Sequence, residues 1–104
     1  MRQFDQIDSV CIDGYLFHKT CEAWPEQYDV YRGSKQVAYV RLRMGRLSVS
    51  VPDVGGEVIY YKDYKNDSAK GYFYTQEERM GQLRKIVKIL KMEKKNVNKR
   101  KRNK

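Results

Sequence analysis

Between residues 28 and 51 apolar and polar positions alternate with a period of two, and the alternation keeps its phase across two turns. Tyr28 and Val30 alternate with Asp29 and Tyr31. Ala38, Val40, Leu42 and Met44 alternate with Val37, Tyr39, Arg41 and Arg43, and Leu47, Val49 and Val51 with Arg46, Ser48 and Ser50. Antiparallel strands with one face buried and the other in water produce this pattern. A two-residue turn at Met44-Gly45 pairs Leu42 with Leu47, Val40 with Val49 and Ala38 with Val51. A three-residue turn at 33–35 pairs Val30 with Ala38 and Tyr28 with Val40. One face is then uniformly apolar, whereas a slip of one residue would mix the faces.

The flanking segments extend this meander. Asp13-Gly14 is a strong two-residue hairpin signal, predicting a first hairpin from residues 4–12 and 15–19. Thr20–Gln27, with Trp24-Pro25, reads as a loop, because proline removes a donor and restricts the residue before it. Asp53-Val54-Gly55-Gly56 reads as a loop whose glycines answer a need for positive φ. Glu57–Asp63 reads as a further strand, Lys65–Gly71 as a polar turn, and Tyr72-Phe73-Tyr74 as a short strand or an aromatic lead-in. Thr75 then opens a helix, with Glu78 three residues on in a capping-box arrangement. Met80, Leu83, Ile86, Val87 and Leu90 form an apolar stripe at helical spacing, the natural cover for the sheet. Gly81 in the helix interior costs about 1 kcal/mol relative to alanine, which points to close packing there. The expected fold class is α+β: an antiparallel β-meander sheet of about five strands with one long C-terminal helix packed on its apolar face. Residues 1–95 form the single domain, and 96–104 a disordered basic tail of Asn, Lys and Arg.

Charge sharpens this division. The chain of 104 residues carries a formal net charge of +9. Residues 91–104 contain eight Lys or Arg and one acid, Glu93, for +7, which leaves only +2 on residues 1–90. A basic tail on a nearly balanced domain attracts phosphates, acidic proteins or anionic surfaces without specifying any of them. No run of 18 apolar residues is present, which argues against a membrane span, and the opening residues lack the apolar stretch of a secretory signal. A cytoplasmic location is expected. Hairpin pairing about Asp13-Gly14 places Cys11 opposite Leu16 and leaves Cys21 out of its reach, so reduced cysteines are expected.

The candidate chemistry lies on the outward face of the meander. The same register sets Arg43 opposite Arg46, Arg41 beside Ser48 and Tyr39 beside Ser50. Like charges opposed across strands destabilise a hairpin. Asp29, opposite Tyr39, is placed to neutralise Arg41, whereas Arg43 and Arg46 have no evident acid. Arg41, Arg43 and Arg46 flanked by Tyr31 and Tyr39 suit a nucleic-acid platform, with guanidinium groups on phosphates and tyrosines on bases. The plainer alternative is a solvated face whose arginines are matched by loop acids such as Asp53 or Glu57. Arg84, Lys88, Lys91 and Lys95 add a basic helix stripe that leads into Lys99, Arg100, Lys101 and Arg102, where counterion release rewards contact with any polyanion.

Catalytic and metal signals are weak. His18 is the only histidine and lies opposite Ser9, without a positioned acid or an oxyanion site. Cys11, His18 and Cys21 fall short of the four ligands that structural zinc requires. No cofactor motif is present, and no cofactor is expected.

Glu26-Gln27-Tyr28-Asp29-Val30-Tyr31, Gly33, Gln36–Arg43, Gly45 and Pro52–Glu57 together resemble a family of short open reading frames of bacteriophages and other mobile elements of Gram-positive bacteria. The resemblance covers about residues 26–61 and contains no catalytic motif. It implies a small accessory protein that associates with host or viral nucleoprotein machinery. Two non-enzymatic functions are expected on these grounds. One is association with nucleic acid or a nucleoprotein complex through the Arg/Tyr face, the helix stripe and the tail. The other is a protein partner, the chain acting as a regulator or inhibitor, for example of a CRISPR-type nuclease. A small enzyme using His18 or the Asp53/Glu57 loop is the third alternative.

Overall fold

The computed structural model describes residues 9–21 and 25–102, with side chains as far as residue 94. Six strands follow one another in chain order: β1 (Ser9–Ile12), β2 (Tyr15–Lys19), β3 (Glu26–Arg32), β4 (Lys35–Arg43), β5 (Arg46–Val51) and β6 (Glu57–Asp63). Each pairs antiparallel with the next, so spatial order equals sequence order and the sheet is an uninterrupted meander. One helix, α1 (Gln76–Arg102), completes the fold. The class is α+β as expected, with one strand more than the five anticipated.

The alternation sets the register. Leu42 pairs with Leu47 and Val40 with Val49, and Arg43 faces Arg46. The ladder closes at Tyr39–Ser50, one pair short of the expected Ala38–Val51. The Asp13-Gly14 and Met44-Gly45 turns have positive φ at both positions, 51° and 84° in the first and 52° and 75° in the second. That geometry matches the right-handed twist of the flanking strands. The β3–β4 hairpin differs from expectation. Arg32 pairs with Lys35 across a two-residue turn, and the extra residue, Val37, sits in a bulge of β4 opposite the Val30–Tyr31 step. Val30–Ala38 and Tyr28–Val40 pair as expected, because a bulge absorbs one residue as well as a longer loop does.

One side of the sheet is dry. Phe17, Val30, Ala38, Val40, Leu42, Leu47 and Val49 bury against Leu83, Ile86, Val87 and Leu90 of α1, and Phe17 meets Tyr28 edge to face at 6.0 Å. The helix starts where its cap is built. Thr75 Oγ1 accepts the Glu78 amide at 3.0 Å, and Glu78 Oε1 accepts the Tyr74 amide at 3.0 Å. The reciprocal bond thus goes one residue upstream of a standard capping box. Tyr72-Phe73-Tyr74 is a lead-in rather than a strand, and Phe73 enters the core.

Two expectations change. Gly81 does not mark close packing: a Cβ there meets nothing within 4 Å. Lys65–Gly71 is not simply a polar turn, since Lys70 is buried. The Lys70 ammonium lies 3.4 Å from the Tyr74 ring centroid and 3.2 Å from the Glu78 carboxylate. This connector also clamps the β4–β5 turn. The Gly45 amide donates to Lys70 O at 2.8 Å and Gly45 O accepts from the Tyr64 amide at 2.7 Å. A Cβ at Gly45 would fall 2.7 Å from Asp67 O. The backbone of α1 continues beyond the 95/96 boundary to Arg102. Lysine and arginine are good helix formers, and no Gly or Pro interrupts the segment.

Candidate functional site

The two faces of the sheet treat charge in opposite ways. On the covered face, Glu26 shares its parity with Tyr28 and Val30 and therefore points inward from β3. Its side chain is wholly buried. The carboxylate accepts from Arg79 Nε at 2.6 Å, Arg79 Nη2 at 3.0 Å, the Phe73 amide at 2.9 Å and the Tyr28 hydroxyl. A carboxylate offers about four lone-pair sites, so these donors saturate it. Burial alone would raise the Glu26 pKa, but the bonds from Arg79, Tyr28 and Phe73 together outweigh it and hold the group below its ordinary 4.5. The Tyr28 hydroxyl is pushed above its usual range, first by burial and then by the bond to Glu26. Arg79 is itself fixed by Gln76 Oε1 at 2.8 Å and Phe73 O at 3.2 Å. Beside this cluster lies a cavity of about 330 Å³ lined by Ser9, Val10, Lys19, Tyr28, Gln76, Arg79 and Met80. The cluster ties β3 to the helix start and has no free acceptor to offer a substrate.

The opposite face carries no helix among the described residues, and the ladders give its rows directly. Leu16, Tyr31 and Gln36 stand in line. Next comes the row Ser9, His18, Asp29, Tyr39, Ser50 and Val58, then Gln27, Arg41, Ser48 and Tyr61, and last Arg43, Arg46 and Asp63. Neutralisation within the face is sparse. Asp29 accepts from Gln36 Nε2 at 3.2 Å instead of pairing with Arg41, and Tyr39 donates to Gln27 Oε1 at 3.0 Å. Ion pairs among the described residues join Lys70 to Glu78, Arg79 to Glu26 and Lys91 to Asp13. Arg41, Arg43 and Arg46 take part in none of them. Neither Asp53 nor Glu57 serves them, and Asp63, though opposite Arg46 in register, makes no ion pair with it.

The sheet face therefore brings together Tyr31, Tyr39, Arg41, Arg43 and Arg46. Sequence reasoning missed Tyr61, because the irregular loop between Pro52 and Gly56 hides the β5–β6 register. The helix stripe is not part of this surface. Arg84, Lys88 and Lys91 are exposed on α1, which packs on the opposite face of the sheet from the arginines. Lys91 reaches Asp13 at 3.1 Å. The side chains of Lys95, Lys99, Arg100, Lys101 and Arg102 lie outside the described residues.

The other candidates stay apart. His18 lies 3.4 Å from Ser9 Oγ through Nδ1, but no hydrogen bond joins it to Asp29 among the described residues. Cys11 and Cys21 are free. The described residues contain no group of three or more His, Cys, Asp or Glu arranged to hold a metal ion. No described helix is long and apolar enough to cross a membrane. No family model matches the chain, and no curated protein and no solved structure is significantly similar to it.

Proposed function

We propose that this chain is a non-enzymatic binding protein that associates with nucleic acid, alone or within a nucleoprotein complex, through the outward face of its sheet. The observation that carries the proposal is the trio Arg41, Arg43 and Arg46, gathered on an open face beside tyrosines and without ion pairs among the described residues. Opposed like charges cost cross-strand stability. Phosphate supplies the missing counter-charge, and release of condensed ions rewards the contact. The likeness of residues 26–61 to small phage and mobile-element proteins supports an accessory role of this kind in a bacterial cytoplasm. The basic residues Arg84, Lys88 and Lys91 of α1 and those that follow them in the sequence add affinity without selectivity.

The test is fluorescence anisotropy with labelled oligonucleotides between about 50 and about 200 mM salt, the range over which phosphate binding weakens most visibly. Arg43→Glu with Arg46→Glu should weaken binding and reduce the salt slope by roughly 1.5, about 0.7–0.9 for each arginine withdrawn from a phosphate. Replacing Lys99, Arg100, Lys101 and Arg102 by Gln should also weaken binding and lower the salt slope, but the further loss on changing Arg43 and Arg46 should persist in that background. The proposal fails if the tail change abolishes binding and the sheet change does nothing. A protein partner is the second reading, supported by Leu16 and Val58, 37% and 54% exposed on the same face. It gains if no oligonucleotide binds and a CRISPR-type nuclease co-elutes with the chain in size-exclusion chromatography.

A further inference from the structure

We infer that the nucleic acid taken by this face is a single strand, its bases laid on a diagonal of three tyrosines and its phosphates along one flank. The inference rests on the nucleic-acid reading above and specifies its ligand. Tyr31 of β3, Tyr39 of β4 and Tyr61 of β6 advance one row at a time as the strands are crossed. With strands about 4.8 Å apart and about 6.7 Å between alternate residues, Tyr31 to Tyr39 is about 8 Å and Tyr39 to Tyr61 about 12 Å. Tyr61 is 52% exposed, and its hydroxyl has no hydrogen-bond partner within the described protein. Its ring is therefore free to receive a base.

The arginines all fall on one side of this diagonal. Arg41 lies one row beyond Tyr39, and Arg43 and Arg46 lie one row further, across the β4–β5 turn. A line of aromatic rings with cations along a single flank matches a ligand with one backbone and accessible base faces. A duplex has the reverse properties, since its base faces are stacked inside and it carries two phosphate rows. Stacking on tyrosine tolerates any sequence because every base has a π-face, so the site selects for strandedness rather than sequence. Three arginines on the phosphates of a single strand correspond to a fall of log affinity with log salt of slope about −2 from this face.

The experiment compares four ligands of equal length against the full chain: oligothymidylate, oligoadenylate, a duplex and an abasic strand with the same phosphates. Both single strands should bind on the order of 100-fold tighter than the duplex and the abasic strand, given the strength of base stacking at each of three tyrosines. Tyr61→Ala should weaken single-strand binding part of the way toward the abasic level, because Tyr31 and Tyr39 still stack, while Tyr61→Phe, which keeps the ring, should retain full affinity. Exposure of Tyr61 makes both variants safe for folding, and equal melting temperatures would verify this. The inference is overturned if the duplex or the abasic strand binds as tightly as oligothymidylate, or if Tyr61→Ala changes nothing. Binding of the duplex alone would overturn the single strand and leave the nucleic-acid reading standing. Binding of no oligonucleotide would remove both.

Discussion

The sheet has one buried charge on its inner face and a cluster of exposed charges on its outer face, and only the buried one is fully answered. Glu26 is met by four donors on three residues. Arg43 and Arg46 sit side by side on neighbouring strands and make no ion pair among the described residues, although Asp63 of β6 faces Arg46. The contrast follows from solvent. An unpaired ion in a low-dielectric interior is strongly destabilising, so the fold cannot leave Glu26 unanswered. On the wet face water screens the two guanidinium groups, and the penalty for leaving them together falls to a few tenths of a kcal/mol. Charge that a fold is free to leave unpaired is charge available to a ligand.

The largest expected effect breaks the inner side. Glu26→Ala strands Arg79, the Tyr28 hydroxyl and the Phe73 amide, and should destabilise the domain by about 3–5 kcal/mol in urea unfolding. The associated pH dependence follows from a lowered pKa in the folded state. The stabilisation from ionised Glu26 is complete above the ordinary 4.5 and is lost as pH falls through the lower folded value. Glu26→Gln, which cannot ionise, should therefore be distinctly less stable than the parent at pH 7. The gap should narrow as the solution is acidified below about pH 4. A gap independent of pH would mean that shape rather than charge holds this corner.

A smaller effect of opposite sign is expected at Gly81, an exposed helix-interior position with open space around its Cβ. Gly81→Ala should stabilise by about 1 kcal/mol, raising the melting temperature by about 4–8 °C for a domain of this size. The smallest change sharpens the outer side. Arg43→Thr removes a like-charge pair and should raise stability by about 0.2–1 kcal/mol while weakening oligonucleotide binding. A variant that is more stable yet binds less well would separate the needs of the ligand from those of the fold. Loss of stability there would instead show that the arginines serve the sheet.

Most of the fold was legible because a strand period of two allows only one register that keeps Val40, Leu42, Leu47 and Val49 together. The same parity reasoning identified Arg41, Arg43 and Arg46 as neighbours. It also held the means to find Glu26, which falls in phase with Tyr28 and Val30. Assigning the segment before Tyr28 to a loop after Pro25 obscured that signal. Lys70 was not legible, because its burial depends on Tyr64, Tyr74 and Glu78 converging from three directions. The bulge at Val37 was invisible for a different reason: a bulge and a longer turn consume the same residue count and leave the downstream register unchanged. The separation of the helix stripe from the sheet face is likewise a property of three dimensions. Composition sums basic residues together whichever side of the domain they occupy.

The clamp on the β4–β5 turn has a consequence for how this surface moves. Hairpin tips are ordinarily among the first parts of a sheet to fray. Here the Gly45 amide and carbonyl are both engaged by the connector between Tyr64 and Lys70, and Asp67 O leaves no room even for a methyl group. The amides of Gly45 and Tyr64 should consequently exchange with solvent as slowly as those of the central strands. A tip held in this way presents Arg43 and Arg46 from a rigid mount. Capture of a ligand then requires little ordering of the backbone beneath them, and more of the contact energy is retained as affinity.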